Sequence, residues 1–393
     1  MPAPLQKTAI ILSGGGARAA YQVGALRAIA HMLGRSNHIP FPVICGTSSG
    51  AINAALLAIN ADDFRRGVAR LTRWWRRVTV KDIYHADLAT LARHSARFLA
   101  SVLTGGAVPA KVASMFDNAP LTDLLTRELE FGRLDEQIAA GHLHALSINA
   151  TSYASGHAVS FFQGDPSLRS WHRLRRRGQP TRLATEHLMA STAIPFVFPA
   201  GLIEEDYYMD GSVRQIAPLS PALHLGATRI VVLAVGQFAG QRPASGPAPY
   251  PSFAQVAGHA LSSVFLDNMG ADIERLSQYN RMIDLLPAAA REKHGLRVNH
   301  VDAFVLSPSR DVAGLALQYV DTLPGGVRAV LRGFGSTKGT GANLTSYLLF
   351  DRQFCRALLA LGYADAMARR DELEAFLAGD SAGFLPLTAL EFN

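Results

Sequence analysis

The chain has 393 residues, of which 49% are hydrophobic and 18% charged, so it can bury a large core and differs from a disordered tail or a coiled coil. Its 38 Lys and Arg residues against 31 Asp and Glu residues give a net charge of +7, which favours anionic partners without deciding between lipid and nucleic acid. Its two cysteines, Cys45 and Cys355, exclude a disulfide scaffold and a cysteine-rich zinc module, and they suit a reducing compartment.

The first sixty residues repeat one pattern twice: an apolar strand, a glycine-rich turn and a helix. Lys7–Leu12 is predicted to form the first strand and Ala17–Leu33 the first helix, and Phe41–Cys45 and residues 51–60 repeat the plan. This alternation predicts an α/β protein, a three-layer α/β/α sandwich with a mainly parallel central sheet. Later strands are expected at His144–Ala150, Ala158–Gln163, Asp206–Met209, Arg229–Val235 and Ala303–Leu306.

The remaining chain divides by composition. We expect a core at residues 1–236 with a helical, basic insertion at about 62–141, a Gly- and Pro-rich linker or flap at 237–252, and a helical C-terminal part at 253–393 that packs on the core. That last part is predicted to hold a long helix over Ser252–Leu286 and one or two helices over Asn343–Leu377. Because no apolar run approaches the roughly 20 residues of a spanning helix and no signal-peptide core is visible, we expect a cytoplasmic protein, with any membrane contact peripheral at the inner face.

The pentapeptide from Gly46 to Gly50 fits G-x-S-x-G, the sharp strand-to-helix turn that raises a serine hydroxyl above a sheet. Gly46 and Gly50 allow the close approach of strand and helix that this elbow requires, and Ser48 takes the nucleophile position. The motif is informative here because it lies between an apolar strand and an alanine-rich helix. The alternative is an ordinary helix start at which one of these hydroxyls is the N-cap.

A second glycine cluster, Gly14-Gly15-Gly16-Ala17-Arg18, closes the first strand and opens the first helix. Unpaired backbone amides at such a position attract negative charge, as an oxyanion hole requires, and Arg18 adds a fixed positive charge. The same residues also fit the dinucleotide-binding fingerprint G-x-G-x-x-A. That reading expects an acidic residue at the end of the second strand, where this chain has the elbow instead.

A nucleophilic serine needs a base, and the sequence offers two kinds of candidate. None of the thirteen histidines lies in a convincing turn after a late strand. Asp210-Gly211 follows the predicted strand Asp206–Met209 at a glycine turn, where a carboxylate can project into a cleft. A solvated turn aspartate is the alternative for this pair.

Four sequence blocks resemble the signature blocks of the patatin-like phospholipase family, in the same order over about residues 8–215. They are GGGARAAYQVGAL, GTSSGAINA, ASTAIPFVFP (Ala190–Pro199) and YYMDGS (Tyr207–Ser212). The chain departs from the family pattern at Ala19, where a glycine closes the first block, and at Ser212, where the family has Gly or Ala.

This resemblance implies a patatin/FabD-lysophospholipase-like fold and a serine acylhydrolase that cleaves phospholipids or lysophospholipids. It implies a dyad in which Ser48 is the nucleophile and Asp210 the general base, with no part for histidine and no metal or other cofactor. It further implies that Gly14, Gly15 and Gly16 form the oxyanion hole, supported by Arg18.

Two basic clusters beside tryptophan suit an anionic membrane surface, although the same mixture can bind RNA and a solvated helix face is the default. One surrounds Trp74-Trp75 and the other follows Trp171; their arginines are Arg65, Arg66, Arg70, Arg73, Arg76 and Arg77, and Arg173, Arg175, Arg176 and Arg177. We expect a phospholipid substrate, peripheral contact with anionic membranes and no specific nucleic acid. The alternative function is a membrane- or nucleic-acid-binding scaffold with an inactive hydrolase site, and Ala190–Pro199 is expected to be either an acyl pocket or core.

Overall fold

The structure, a computed structural model, describes residues 7–34, 36, 38–85, 104, 114–237, 268–287, 300–333 and 342–380. Ten strands in these ranges form one sheet: β1 (Thr8–Leu12), β2 (Val43–Thr47), β3 (Ala145–Ser152), β4 (Ala158–Gly164), β5 (Trp171–Arg173), β6 (Arg176–Pro180), β7 (Gly201–Ile203), β8 (Asp206–Asp210), β9 (Arg229–Leu233) and β10 (Asp302–Leu306).

Fourteen α-helices lie within the described ranges. They are α1 (Ala20–Met32), α2 (Ser49–Ala58), α3 (Phe64–Arg77), α4 (Val80–Ile83), α5 (Ala119–Glu128), α6 (Arg133–Ala139), α7 (Thr185–Ser191), α8 (Ser220–His224), α9 (Asn268–Leu285), α10 (Val312–Leu317), α11 (Gly325–Gly333), α12 (Ala342–Leu348), α13 (Arg352–Ala368) and α14 (Arg370–Ala378). Short 3-10 helices occupy Gly16–Ala19, Gly211–Arg214 and Val320–Thr322. None of the described helices is long and apolar enough to cross a bilayer.

The sheet is parallel at its centre and antiparallel on one side. Its strand order is β10-β9-β1-β2-β3-β4-β6-β5, and the first five strands of that order run parallel. β4 returns antiparallel to β3, and β8 also pairs antiparallel with β3, carrying β7 on its other side. The carboxyl ends of β1, β2 and β3 therefore lie at one edge of the sheet, where ligands bind in open α/β folds.

Alternate side chains of the central strands enter two separate cores, one on each face of the sheet. Ile10, Leu12 and Ile44 pack with α1, α2, α3 and α13 on one face, while Ile11 and Val43 pack with α8 and α9 on the other. Each fully buried Leu or Ile side chain contributes about 1.5–3 kcal/mol relative to an exposed one, so the two cores hold the three layers together. The predicted α/β/α sandwich with a mainly parallel sheet is confirmed.

The elements follow the predicted order, with differences at several boundaries. The predicted first helix opens as a 3-10 turn at Gly16–Ala19, and α2 begins at Ser49, immediately after the proposed nucleophile. Three short strands, β5 to β7, were not predicted. Two of them are rich in arginine and polar residues and all are short, so they lack the apolar alternation that marks a strand.

The described part of the basic segment after α2 is mostly helical and packs on the first core, while residues 86–103 and 105–113 of the predicted insertion lie outside the described residues. Trp75 is fully buried, stacks on Phe350 and donates its indole N–H to Asn53 Oδ1 at 2.7 Å. Trp74 is half-buried and contacts Trp75 edge to face. Of this tryptophan pair, therefore, only Trp74 has surface available to a partner.

The C-terminal residues add a strand and several helices to the same framework. β10 extends the sheet beyond β9, and three helices, α12 to α14, occupy the region where one or two were expected. The predicted linker at 237–252 and the first part of the predicted helix Ser252–Leu286 lie outside the described residues, except for residue 237. The division of the chain at that linker stays a prediction.

Candidate active site

Ser48 occupies a turn of one residue between β2 and α2. Its backbone has φ 54° and ψ −132°, in the left-handed half of conformational space, where a side chain of this kind costs about 1–2 kcal/mol. The two motif glycines make the turn sterically feasible. A Cβ at Gly46 would lie 2.5 Å from the Cα of Ala51, and one at Gly50 would lie 2.2 Å from the carbonyl oxygen of Leu12.

The strained turn is fixed by a buried hydrogen-bond relay. The Ser48 amide donates to Ser191 Oγ at 2.9 Å, and the Ser191 hydroxyl donates to the carbonyl oxygen of Asn149 at 2.6 Å. The Asn149 side-chain amide in turn donates to Gly46 O at 3.2 Å and to Thr47 Oγ1 at 3.0 Å. The end of β3 and the end of α7 therefore both hold the elbow.

Asp210 is the last residue of β8 and is placed beside the elbow by the same strand β3. It pairs with Ala150, its amide donates to Ala193 O at 2.8 Å, and its side chain is only 1% exposed. The following Gly211 packs so closely on β3 that a Cβ there would lie 2.2 Å from Asn149 O. The structure thus brings the buried side chains of Ser48 and Asp210 together, although 162 residues of chain separate them.

The two carboxylate oxygens of Asp210 differ in their partners. Oδ1 accepts the Ser212 amide at 2.9 Å, whereas Oδ2 is buried and has no hydrogen bond of full geometry among the described residues. The Ser48 hydroxyl is nevertheless close enough to lower the Asp210 pKa through a hydrogen-bonding contact. These facts describe a long or poorly aligned contact, which is common between catalytic groups before substrate binds.

Burial dominates the electrostatics of this carboxylate. Desolvation raises the Asp210 pKa and the hydrogen bonds from Ser48 and Ser212 lower it in part, so that it stands at about 6 instead of 3.8. A carboxylate with a pKa near 6 is ionised at neutral pH and is a better proton acceptor than an ordinary aspartate. Among the described residues, no histidine bonds to Ser48 or Asp210, and no three His, Cys, Asp or Glu side chains are grouped to hold a metal ion.

The glycine cluster lies next to the elbow, at the adjacent strand end. A Cβ at Gly50 would lie 2.5 Å from Ser13 O, and the glycine loop begins at the next residue. Within the described residues, the amides of Gly14, Gly15 and Gly16 donate to no protein acceptor. Free amides beside the positive end of α2 can together stabilise an anion.

Arg18 is buried, and its guanidinium reaches the C-terminal helix α12 instead of the glycine loop. Its Nε donates to Ser346 Oγ at 2.8 Å, its Nη2 donates to Asn343 Oδ1 at 2.9 Å, and the group lies 4.2 Å from the ring centre of Tyr347. The same helix covers Gly16, which has φ +56° and whose Cβ would lie 2.1 Å from Tyr347 O. Arg18 therefore shapes the loop by tying it to α12.

Sequence reasoning missed the residues that position the predicted ones. Ser191 lies in the quoted block Ala190–Pro199, which was expected to be an acyl pocket or core, and it is in fact buried. Most of that block is core, and Phe196, 68% exposed, is the exception. Asn149 carries a usable signal, because a polar side chain at the carboxyl end of a buried parallel strand points to a site.

The sequence profile of the patatin-like phospholipase family matches residues 10–223, more than half of the chain. A search of curated protein sequences found no match to this chain. Among solved structures, the chain is similar to VipD from Legionella pneumophila, with 14% identity and a TM-score of 0.36 over 94% of this chain and 67% of VipD. It is also similar to ExoU from Pseudomonas aeruginosa, solved in complex with SpcU, with 15% identity and a TM-score of 0.25 over 96% of this chain and 80% of ExoU. From the match to the family profile, the chain belongs to the patatin-like phospholipase family.

Proposed function

We propose that the protein is a serine acylhydrolase that cleaves the acyl ester bonds of phospholipids or lysophospholipids by means of a Ser48–Asp210 dyad. The observation that carries this proposal is the buried Asp210 carboxylate, with one oxygen lacking a full hydrogen bond, in contact with a serine on a strained elbow. Membership of a phospholipase family supports the substrate class.

In the proposed first step, the Ser48 oxygen attacks the ester carbonyl carbon while Asp210 accepts the hydroxyl proton. The carbonyl oxygen becomes an oxyanion, which the amides of Gly14, Gly15 and Gly16 and the positive end of α2 stabilise. Losing one such donor typically raises the barrier by about 2.7–4 kcal/mol. The intermediate collapses as the C–O bond to the leaving alcohol breaks, and that alcohol takes the proton from Asp210.

In the second step, water replaces the alcohol. Asp210 removes a proton from the water as its oxygen attacks the acyl-serine, and the resulting tetrahedral intermediate releases the fatty acid. The proton then returns to Ser48 and regenerates the dyad. A carboxylate with a pKa near 6 can both accept and return a proton at neutral pH.

The membrane contact that we propose is peripheral, through the exposed arginines beside the half-buried Trp74. Arginine meets lipid phosphates while an indole ring occupies the headgroup level, so this combination fits an anionic surface. We further propose the inner face of the membrane as the place of this contact.

The test compares the wild-type chain with Ser48→Ala on mixed anionic vesicles and on a chromogenic medium-chain ester. We expect Ser48→Ala to lose fatty-acid release and fluorophosphonate labelling while its circular dichroism spectrum is unchanged. Thr47→Ser, which keeps a hydroxyl beside the nucleophile, is the matched control and should retain activity. A wild-type chain that is inert towards acyl esters and towards the probe would contradict the proposal and favour a binding scaffold.

A further inference from the structure

A cavity lies away from the dyad, at the C-terminal end of α3. It has a volume of about 450 Å³, within the usual range for small-ligand pockets, and neither Ser48 nor Asp210 lines it. Its walls come from α2, α3, α4, α5 and the start of α13. The site proposed for hydrolysis therefore does not explain it.

Arginine dominates the lining of this cavity, which we name the arginine cavity. Five arginines and only two acidic residues line it, so its net charge is three positive charges; the arginines are Arg70, Arg73, Arg77, Arg127 and Arg352. So many like charges in one concave space repel one another unless an anion is present. The lining thus favours a negatively charged ligand.

The two acidic residues of the lining are already engaged. Asp82 Oδ2 accepts the amide and the hydroxyl of Thr79, both at 2.8 Å, where it caps α4. Glu128 Oε1 lies 3.7 Å from Arg127 Nε. Neither acid forms an ion pair with the remaining four arginines.

Part of the arginine set is held in place and part is uncommitted. Arg70 donates to Glu128 O at 3.0 Å, and Arg352 Nε donates to Arg77 O at 3.2 Å. Among the described residues, the guanidinium groups of Arg73 and Arg77 form no hydrogen bond or ion pair, and the terminal nitrogens of Arg352 have no partner. These donors remain available to a ligand.

We propose that the arginine cavity binds a phosphate group, as a phosphomonoester headgroup of a lipid or as a free oligophosphate. A guanidinium presents a rigid fork of donors that matches phosphate oxygens, and several forks in one cavity suit a dianion with three terminal oxygens better than a singly charged carboxylate. An extended RNA strand is bound along a groove with several stacking rings, which this lining does not offer. Trp74 is the only aromatic residue of the lining.

The test compares two neighbouring arginines of α3, only one of which lines the cavity. Arg77 lines the cavity and Arg76 does not, although both are exposed and lie in the last turn of the helix. Arg77→Gln and Arg76→Gln remove the same charge, and neither breaks a side-chain hydrogen bond or ion pair among the described residues. The binding of inorganic tripolyphosphate is measured by titration calorimetry for each full-length variant.

We expect Arg77→Gln to weaken tripolyphosphate binding by about tenfold or more, the usual effect of losing a charge-assisted hydrogen bond, while Arg76→Gln changes it by less than about twofold. Arg77→Lys, which keeps the charge but loses the fork, should lie between them. Equal weakening by Arg76→Gln and Arg77→Gln, or no binding by the wild type, overturns the proposal. Preferred binding of an RNA oligonucleotide overturns it as well.

A vesicle arm distinguishes the two sources of phosphate. Sedimentation is compared for vesicles that contain phosphatidic acid, a phosphomonoester, and for vesicles of equal surface charge that contain phosphatidylglycerol, a phosphodiester. A preference for phosphatidic acid that Arg77→Gln removes assigns the cavity to a lipid headgroup. Tripolyphosphate binding without that preference assigns it to free oligophosphates. All measurements are made in the Ser48→Ala background, so that the result does not depend on the proposed hydrolysis.

Discussion

The backbone amide of Ser48 donates a hydrogen bond of 2.9 Å to the hydroxyl oxygen of Ser191, which lies 143 residues away at the end of α7. The Ser191 hydroxyl in turn donates a hydrogen bond to the carbonyl oxygen of Asn149. A residue with no proposed part in the chemistry thus holds the backbone of the proposed nucleophile in its strained conformation. The relay also ties the elbow to β3, the strand with which β8 and its last residue, Asp210, are paired.

Ser191→Ala removes the centre of this relay and leaves the buried Ser48 N–H without its hydroxyl acceptor. We expect a stability loss of about 1–3 kcal/mol and, because the Ser48 oxygen is then less well aligned, a kcat lower by about tenfold to a hundredfold with little change in KM. Steady-state kinetics on a soluble ester and denaturant unfolding measure the two effects. Thr192→Ala is the control, since the Thr192 hydroxyl bonds only to carbonyl oxygens of its own helix. An equal loss of kcat in that control would show that the effect is not specific to the relay.

The raised pKa of Asp210 predicts the pH dependence of hydrolysis. The proposed base must be ionised, so kcat/KM should rise with pH, reach half of its plateau near pH 6 and stay high through neutral pH. The measurement is a pH profile from 4 to 9 on an uncharged ester, with folding checked at each pH. A midpoint near 4, the value of an unperturbed aspartate, would show that burial does not control this group.

Asp210→Asn should abolish activity and yet stabilise the fold at neutral pH. Because the folded-state pKa is raised, the contribution of Asp210 to stability is fully present below about pH 4 and is lost as the pH rises through about 6. From 3.8 to about 6, the linked free energy is on the order of 3 kcal/mol. Asn keeps the oxygen that accepts the Ser212 amide and carries no charge. Unfolding free energies at pH 8 and pH 4 test this, and a variant less stable than the wild type at pH 8 would contradict it.

Alanine substitutions at Gly16 and Gly34 distinguish the free-energy cost of a left-handed backbone from that of a steric clash. Both have positive φ, +56° and +61°, but a Cβ at Gly34 meets nothing within 4 Å, while one at Gly16 would lie 2.1 Å from Tyr347 O. Gly34→Ala should therefore cost about 1–2 kcal/mol and leave activity intact. Gly16→Ala should cost clearly more and lower kcat, because either the glycine loop or α12 must move. Thermal unfolding and ester kinetics of the two variants measure these effects. Equal losses in both variants would show that the predicted clash with Tyr347 does not matter.

The parallel centre of the sheet and the positions of both glycine turns follow from the sequence, because apolar runs and glycine clusters are local signals. The match of Ser48 to the elbow motif is equally local. The three short strands β5 to β7 give no such signal, since they exist only through pairing with β4 and β8. Edge pairing of this kind depends on tertiary contacts that periodicity does not report.

The candidate site shows the same division. The elbow motif predicts Ser48, and the glycine turn after β8 makes Asp210 a candidate that the family resemblance selects. The positioning partner Ser191, by contrast, has no sequence signal that separates it from other small residues in its block. The partners of Arg18 lie more than 320 residues away in the chain, so no local pattern connects them. The raised pKa of Asp210 arises from burial, which the sequence around it does not predict.

Because α12 contacts the glycine loop, the proposed catalytic unit includes residues that lie outside the profile-matched stretch. The first block of the family signature contacts residues well beyond position 223, where the family profile stops. Arg18 bonds to Asn343 and Ser346, and Gly16 packs against Tyr347. A chimera that grafts only the profile-matched stretch onto a foreign scaffold would carry Ser48, the proposed nucleophile, but would lack the α12 residues that contact the glycine loop. For protein engineering, the smallest transferable module that keeps the proposed site intact is therefore discontinuous in sequence, with α12 as one of its parts.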